Sequence, residues 1–203
     1  HKNKMFKAKE IEGELKYAVR RQEETIYHRQ LKMTSPALNR FRDLVLYNLE
    51  AGQAVLTDNN DIRIYTDGKE KFRALIHEMK RAKKYIHVQY YIIRNDEVWQ
   101  DIEKVLIEKA HEGVEVRVLF DSMGCRGMKN SDWDRLEKAG IQVAEFFPAV
   151  LGKLQLRVNY RNHRKIAVID GRIGFVGGFN IGREYLGKDE KFGYWRDTHI
   201  CIE

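Results

Sequence analysis

The run from Asn162 to Asn180, NHRKIAVIDGRIGFVGGFN, constrains this chain more than any other stretch. It reads as an extended segment, a turn, a second extended segment and a glycine-rich corner. Residues two apart on a strand share a face, so His163 and Lys165 should point the same way, about 6–7 Å apart. Ile166 and Val168 are expected on the other face, next to a core, with Ala167 and Ile169 continuing the His163 side inward. Asp170-Gly171 is a hairpin signal. The return run Ile173, Phe175, Val176 leads into Gly177-Gly178, where backbone can approach a ligand closely, and Asn180 lies just beyond. An imidazole, an ammonium, paired glycines and a carboxamide on one hairpin suit a phosphate. A lone His-x-Lys is usually a solvated edge and a lone Asp-Gly only a turn. It is their joint spacing that makes a motif.

The pattern H-x-K-x4-D, followed by G-G-x-N, resembles the signature of the phospholipase D superfamily. The longer run RNHRKIAVIDG…GFVGGFNIG…YLG…FGYWRDTH is similar to the first catalytic half of bacterial cardiolipin synthases. The resemblance extends from about Ile62 to the C-terminus. Such proteins carry two motifs, and this sequence has one. The resemblance therefore implies a second catalytic half after Glu203 and transmembrane segments before residue 1, the chain being an excised piece that opens on His1.

Charge and cysteines narrow the alternatives without choosing among them. The 203 residues carry a net charge of +7, which favours anionic partners such as phospholipid headgroups, nucleic acid or phosphorylated metabolites. Cys125 and Cys201 have no metal-ligand spacing, and no carboxylate cluster looks like a magnesium site, so neither metal nor cofactor is expected. Two free thiols fit a reducing, cytoplasmic setting. No run of about 18 apolar residues is present.

The organisation follows from periodicity. Residues 2–33 read as a highly charged helix with a narrow apolar stripe at Ile11, Leu15, Ala18, Val19 and Ile26. It could lie on an anionic leaflet or pack loosely on the domain; its glutamates 10, 12, 14, 23 and 24 weigh against the membrane. Ser35-Pro36 should start a second helix with Leu38, Phe41, Val45 and Leu49 on one face and Gly52 as its stop. Residues 1–52 are thus expected to form a helical juxtamembrane or linker extension, and 53–203 are, by the resemblance, the first catalytic half-domain. There, strands are expected at Asp61–Tyr65, Tyr85–Ile93, Val114–Phe120, Ile141–Phe146 and Tyr194–Ile202, with helices near 66–82, 96–112 and 131–139. Pro148–Leu156 reads as a connecting loop, either part of the cleft rim or a buried anchor. His87, Gln89 and Tyr91 share a strand face, either half-polar surface or cleft lining. The expected fold is a phospholipase D-like α/β sandwich, a mixed sheet flanked by helices.

A phosphodiester repels nucleophiles and has a poor leaving group. Neutral imidazole can attack and form a covalent intermediate; a fixed ammonium can neutralise the developing charge. By resemblance, His163 is the nucleophile that becomes phosphatidyl-histidine, with Lys165, Gly177, Gly178 and Asn180 on the phosphate. A histidine of the missing half would handle the leaving glycerol, although the two could exchange roles. Asp170 sits at the turn on the opposite face and should brace it, an indirect role. Asp197 in WRDTH is a better orienter of the imidazole N–H, or else a salt-bridged edge residue. Arg161 and Arg164 are candidates for a headgroup phosphate.

The implied reaction makes cardiolipin and glycerol from two phosphatidylglycerols at the cytoplasmic face of the bacterial membrane. Two other readings stand beside it. One is a single-motif phosphodiesterase or nuclease completed by homodimerisation; the other is an inactive fragment that binds anionic headgroups. The N-terminal helix and the match around RNHRKIAVIDG weigh toward lipid and away from nucleic acid.

Overall fold

The computed structural model describes residues 2–27, 36–57, 59–146 and 161–203. The predicted rim loop at Pro148–Leu156, the Ser35 cap, the end of the first helix beyond Tyr27, and the side chains of Ile11 and Leu38 lie outside the described residues. The chain divides into two compact units, His1–Asn60 and Asp61–Glu203.

In the first unit, α1 (Lys2–Tyr27), α2 (Pro36–Arg40) and α3 (Arg42–Gly52) follow one another. Val19, Ile26 and Leu49 form a small core, with Val45, Leu46 and Val55 packed on it. Gln22 bonds reciprocally to the backbone of Leu56, donating to its oxygen at 2.8 Å and accepting from its nitrogen at 2.6 Å. The single helix expected from Pro36 onward is broken at Phe41 (φ −107°, ψ 19°). Phe41 and Leu15 are exposed, so both predicted stripes are only partly buried. No helix among the described residues is long and apolar enough to cross a membrane.

The second unit is a seven-stranded mixed sheet: β1 (Ile62–Asp67), β2 (Tyr85–Tyr90), β3 (Glu115–Asp121), β4 (Gln142–Phe146), β5 (Lys165–Ile169), β6 (Ile173–Gly177) and β7 (Arg196–Ile202). Their order is β1-β7-β6-β5-β2-β3-β4. β2, β3 and β4 are parallel, and every other pairing is antiparallel. Helices α4 (Gly68–Arg81), α5 (Glu97–His111) and α6 (Asn130–Lys138) intervene. Their starts are fixed by side chains: Asp67 caps α4 through the amides of Lys69 and Glu70, and Asp96 caps α5 through those of Val98 and Trp99. Phe72, Leu75 and Met79 of α4 join Trp99, Ile102 and Leu106 of α5 over the inner sheet face.

Two local outcomes position the site. Asp170 (φ 56°) and Gly171 (φ 71°) are both left-handed, as a two-residue turn between β5 and β6 demands. On β5, Lys165, Ala167 and Ile169 are buried while Ile166 and Val168 are half-buried. The deeper core therefore lies on the lysine side, the reverse of the expectation for Ile166 and Val168, because the helices cover that face.

Candidate active site

Lys165 enters the sheet opposite Tyr90, at the end where the parallel strands β2, β3 and β4 finish. This is where open α/β sheets place ligands, since the loops leaving the strands diverge there. The residues just before it make the approach segment 161–164. That segment is anchored from beneath by Asp121, the last residue of β3, which is 1% exposed. Its carboxylate accepts from the Asn162 amide at 3.1 Å and the Met123 amide at 2.9 Å, and pairs with Arg161 at 3.8 Å.

Anchored in this way, His163 and Lys165 meet. The Lys165 Nζ lies 2.9 Å from His163 Nδ1, 3.4 Å from Nε2, and 2.8 Å from the His163 carbonyl oxygen, to which it donates. Lys165 is 4% exposed while the imidazole is open to solvent. Burial pulls the ammonium down to about 8, with Asp197 pulling the other way. Burial and then the Lys165 charge hold the imidazole below its ordinary 6.5, against an opposing pull from Asp121. A neutral imidazole thus sits against a cation, the pairing that nucleophilic attack on an anionic phosphodiester needs.

The other predicted residues do different work. Asp170 lies at the far end of β5 and accepts from the amides of Lys83, Lys84 and Tyr85 at 2.8, 2.7 and 2.9 Å. Its carboxylate braces the turn against the start of β2, far from the imidazole. The glycine pair was expected to admit a ligand; instead it admits β7. A Cβ on Gly178 would fall 1.9 Å from Asp197 Oδ1, and one on Gly177 would fall 2.4 Å from the His199 Cα. The Gly178 amide is spent on the Thr198 oxygen at 2.8 Å.

Asn180 is buried, accepting from the Ile92 amide at 3.0 Å and donating to the Tyr185 hydroxyl at 2.7 Å. It joins two chain segments rather than presenting its carboxamide to a phosphate. Asp197 accepts from the Thr198 amide at 2.7 Å and the Trp195 indole at 3.5 Å. It reaches Lys165 electrostatically instead of orienting His163. Arg161 is committed to Asp121 and Ser122, whereas Arg164 is exposed.

Three residues enter the site unannounced by the motif. Tyr91 packs against His163 at a tilt of 46° with ring centroids 4.4 Å apart, and its ring centre lies 5.3 Å from the Lys165 Nζ. Its expected companions His87 and Gln89 are on the other sheet face, because β2 ends at Tyr90 and the chain then bends. Lys71 of α4 is wholly buried, donating to the Tyr90 hydroxyl at 3.0 Å, and burial pushes it well below its ordinary value. His199 is wholly buried too, with both ring nitrogens unpartnered among the described residues. Burial, then Lys71 and Lys165, push it down to about 3. Only the alternation of β7 hinted at its direction.

Residues 75–193 match the family model described as "Cardiolipin synthase, PLD-like domain". The chain belongs to this family. A cardiolipin synthase of Oceanobacillus iheyensis is 48% identical over 188 residues, covering 93% of this chain and 39% of that relative. One from Staphylococcus aureus is 52% identical over 163 residues, covering 80% of this chain and 33% of that relative. The matches therefore span between a third and two-fifths of the length of these family members. Among solved structures, NucT from Helicobacter pylori superposes with a TM-score of 0.53 at 17% identity, covering 71% of this chain and 86% of that one. Phosphatidylserine synthase from Haemophilus influenzae gives 0.51 at 21% identity, covering 70% and 32%. At these identities the likeness is one of fold, and it supports the predicted phospholipase D-like α/β architecture.

Proposed function

We propose that this chain is the first catalytic half of a phosphatidyltransferase that makes cardiolipin from two phosphatidylglycerols. The single observation that carries the reading is the 2.9 Å contact between the Lys165 ammonium and a depressed-pKa His163 imidazole. It lies on a chain whose family relatives are cardiolipin synthases.

In this mechanism a His163 ring nitrogen attacks phosphorus, forming a P–N bond as the P–O bond to glycerol breaks. The leaving glycerol takes its proton from an acid that the second half supplies. A hydroxyl of the second phosphatidylglycerol then attacks the same phosphorus, the P–N bond breaks, and the proton returns to that acid. Lys165 offsets negative charge on the phosphoryl oxygens in both steps. Asp197 acts through Lys165 by favouring its charged form. Asp170 keeps β5 in register and touches no reactant. Residues 1–52 serve as the juxtamembrane extension that holds 53–203 at the cytoplasmic face of the membrane, and Arg164 meets a headgroup.

The test uses a protein carrying this chain and the second half, presented with vesicles of phosphorus-labelled phosphatidylglycerol. After an alkaline quench, the label should map to His163 and be acid-labile. Label at another residue, or cardiolipin formation undiminished in His163→Gln, overturns the reading.

A further inference from the structure

His163 has a difficulty that its motif does not solve. It lies on the four-residue approach 161–164, outside the strand hydrogen bonds that begin at Lys165, and its ring is open to solvent. Asp121 holds the Asn162 backbone and the Lys165 Nζ meets the ring nitrogens, but neither bounds the face of the imidazole. A nucleophile that must meet phosphorus in line needs a wall.

Tyr91 is the side chain placed to be that wall, and its backbone is clamped on both sides. The Tyr91 carbonyl lies against Gly124, where an added Cβ would come within 1.9 Å of it. The Cys125 thiol donates to the same oxygen at 3.6 Å. The next amide, that of Ile92, donates to Asn180 Oδ1 at 3.0 Å. From this fixed backbone the ring reaches out to the imidazole, tilted by 46° at a centroid distance of 4.4 Å, with the Lys165 Nζ 5.3 Å from its centre.

We propose that Tyr91 is a positioning residue: its aromatic face holds the His163 imidazole beside the Lys165 ammonium in the orientation from which a ring nitrogen attacks phosphorus. This rests on His163 being the nucleophile of the transferase reading. The ring does two things at once. It limits imidazole rotation, and its π-face holds the cation near the imidazole when the ammonium turns toward a phosphate. Asn180, Gly124 and Cys125 act one step further out, by fixing the tyrosine backbone.

The test needs neither lipid nor the second catalytic half. Phosphoramidate phosphorylates imidazole directly: a P–N bond to the ring forms as the P–N bond to the departing ammonia breaks. Wild type, Tyr91→Phe and Tyr91→Leu chains are treated with phosphoramidate, and the rate at each histidine is read by mass spectrometry. The exposed His77 serves as the internal control. The expected result is a fall of roughly tenfold or more at His163 in Tyr91→Leu, a rate within about twofold of wild type in Tyr91→Phe, and no change at His77. An unchanged or faster His163 rate in Tyr91→Leu overturns the proposal. So does a loss in Tyr91→Phe as large as in Tyr91→Leu, since the ring would then not be the active feature. Because the lipid experiment labels His163 by a different donor, either result can fail while the other stands.

Discussion

The two ends of β5 belong to one sequence motif and do unrelated jobs. At the entry end, Lys165 is buried without a bonded carboxylate among the described residues, and its ammonium rests on an exposed imidazole. At the exit end, Asp170 gathers three backbone amides of another strand. One end holds charge where a substrate can use it; the other consumes its charge in holding the fold. Residues that recur together in a motif need not meet in space. Here the five residues of β5, from Lys165 to Ile169, separate chemistry from architecture.

If this division is right, His163→Gln should produce the largest effect. Phosphohistidine and cardiolipin formation should drop by at least about a thousandfold in the two-half protein, with the thermal midpoint unmoved because the ring is exposed.

Asp170→Ala should reverse that pattern. Leaving three amides at the start of β2 without their acceptor should cost about 2–3 kcal/mol, read by denaturant unfolding, while turnover per folded molecule stays close to wild type. A loss of turnover at unchanged stability would break the comparison. Acid unfolding sharpens it. Burial raises the Asp170 carboxyl, but the amides of Tyr85, Lys84 and Lys83 outweigh that, so its folded value lies below 3.8. Its stabilisation is present above 3.8 and is lost as pH falls through the lower folded value. Asp170→Asn should flatten that part of the acid limb.

At the other end the pH signature should be kinetic. The imidazole must be neutral, so the rate rises with pH through a value below 6.5. The ammonium must be charged, so it falls again near 8. Lys165→Arg should remove the alkaline fall, because a guanidinium stays charged. The smallest effect belongs to Asp197→Asn. Losing the carboxylate that favours the charged lysine should move the alkaline limb modestly downward, measured as the pH profile of phosphohistidine formation.

What was legible in the sequence is what depends on neighbours in the chain. The Asp170-Gly171 turn, the helix starts near 66 and 96, and the His163–Lys165 meeting all rest on spacings of a few residues. What was not legible depends on distant partners. Gly177 and Gly178 read as room for a ligand, yet the space is filled by Asp197 and His199, some twenty residues on. Asp121 closes β3 some forty residues before the motif, and only the pairing of β2 with both β3 and β5 brings it under Asn162. Asn180 read as a phosphate ligand because nothing nearby in sequence announces Ile92 and Tyr185 as its partners. Lys71 carries no signal in the sequence at all, since its burial is decided by Tyr90 of β2, to which it donates.

That lysine leaves the folded chain with a standing debt to protons. Once the core opens, the amine of Lys71 binds a proton up to its ordinary 10.5, whereas inside it holds a proton far less readily. Between the lowered folded value and 10.5 the opened chain is the better proton acceptor, so this one side chain makes the domain sturdier as the solution turns alkaline. It also makes Lys71 a built-in witness of unfolding: an amine-directed reagent can mark it only in molecules that have come apart.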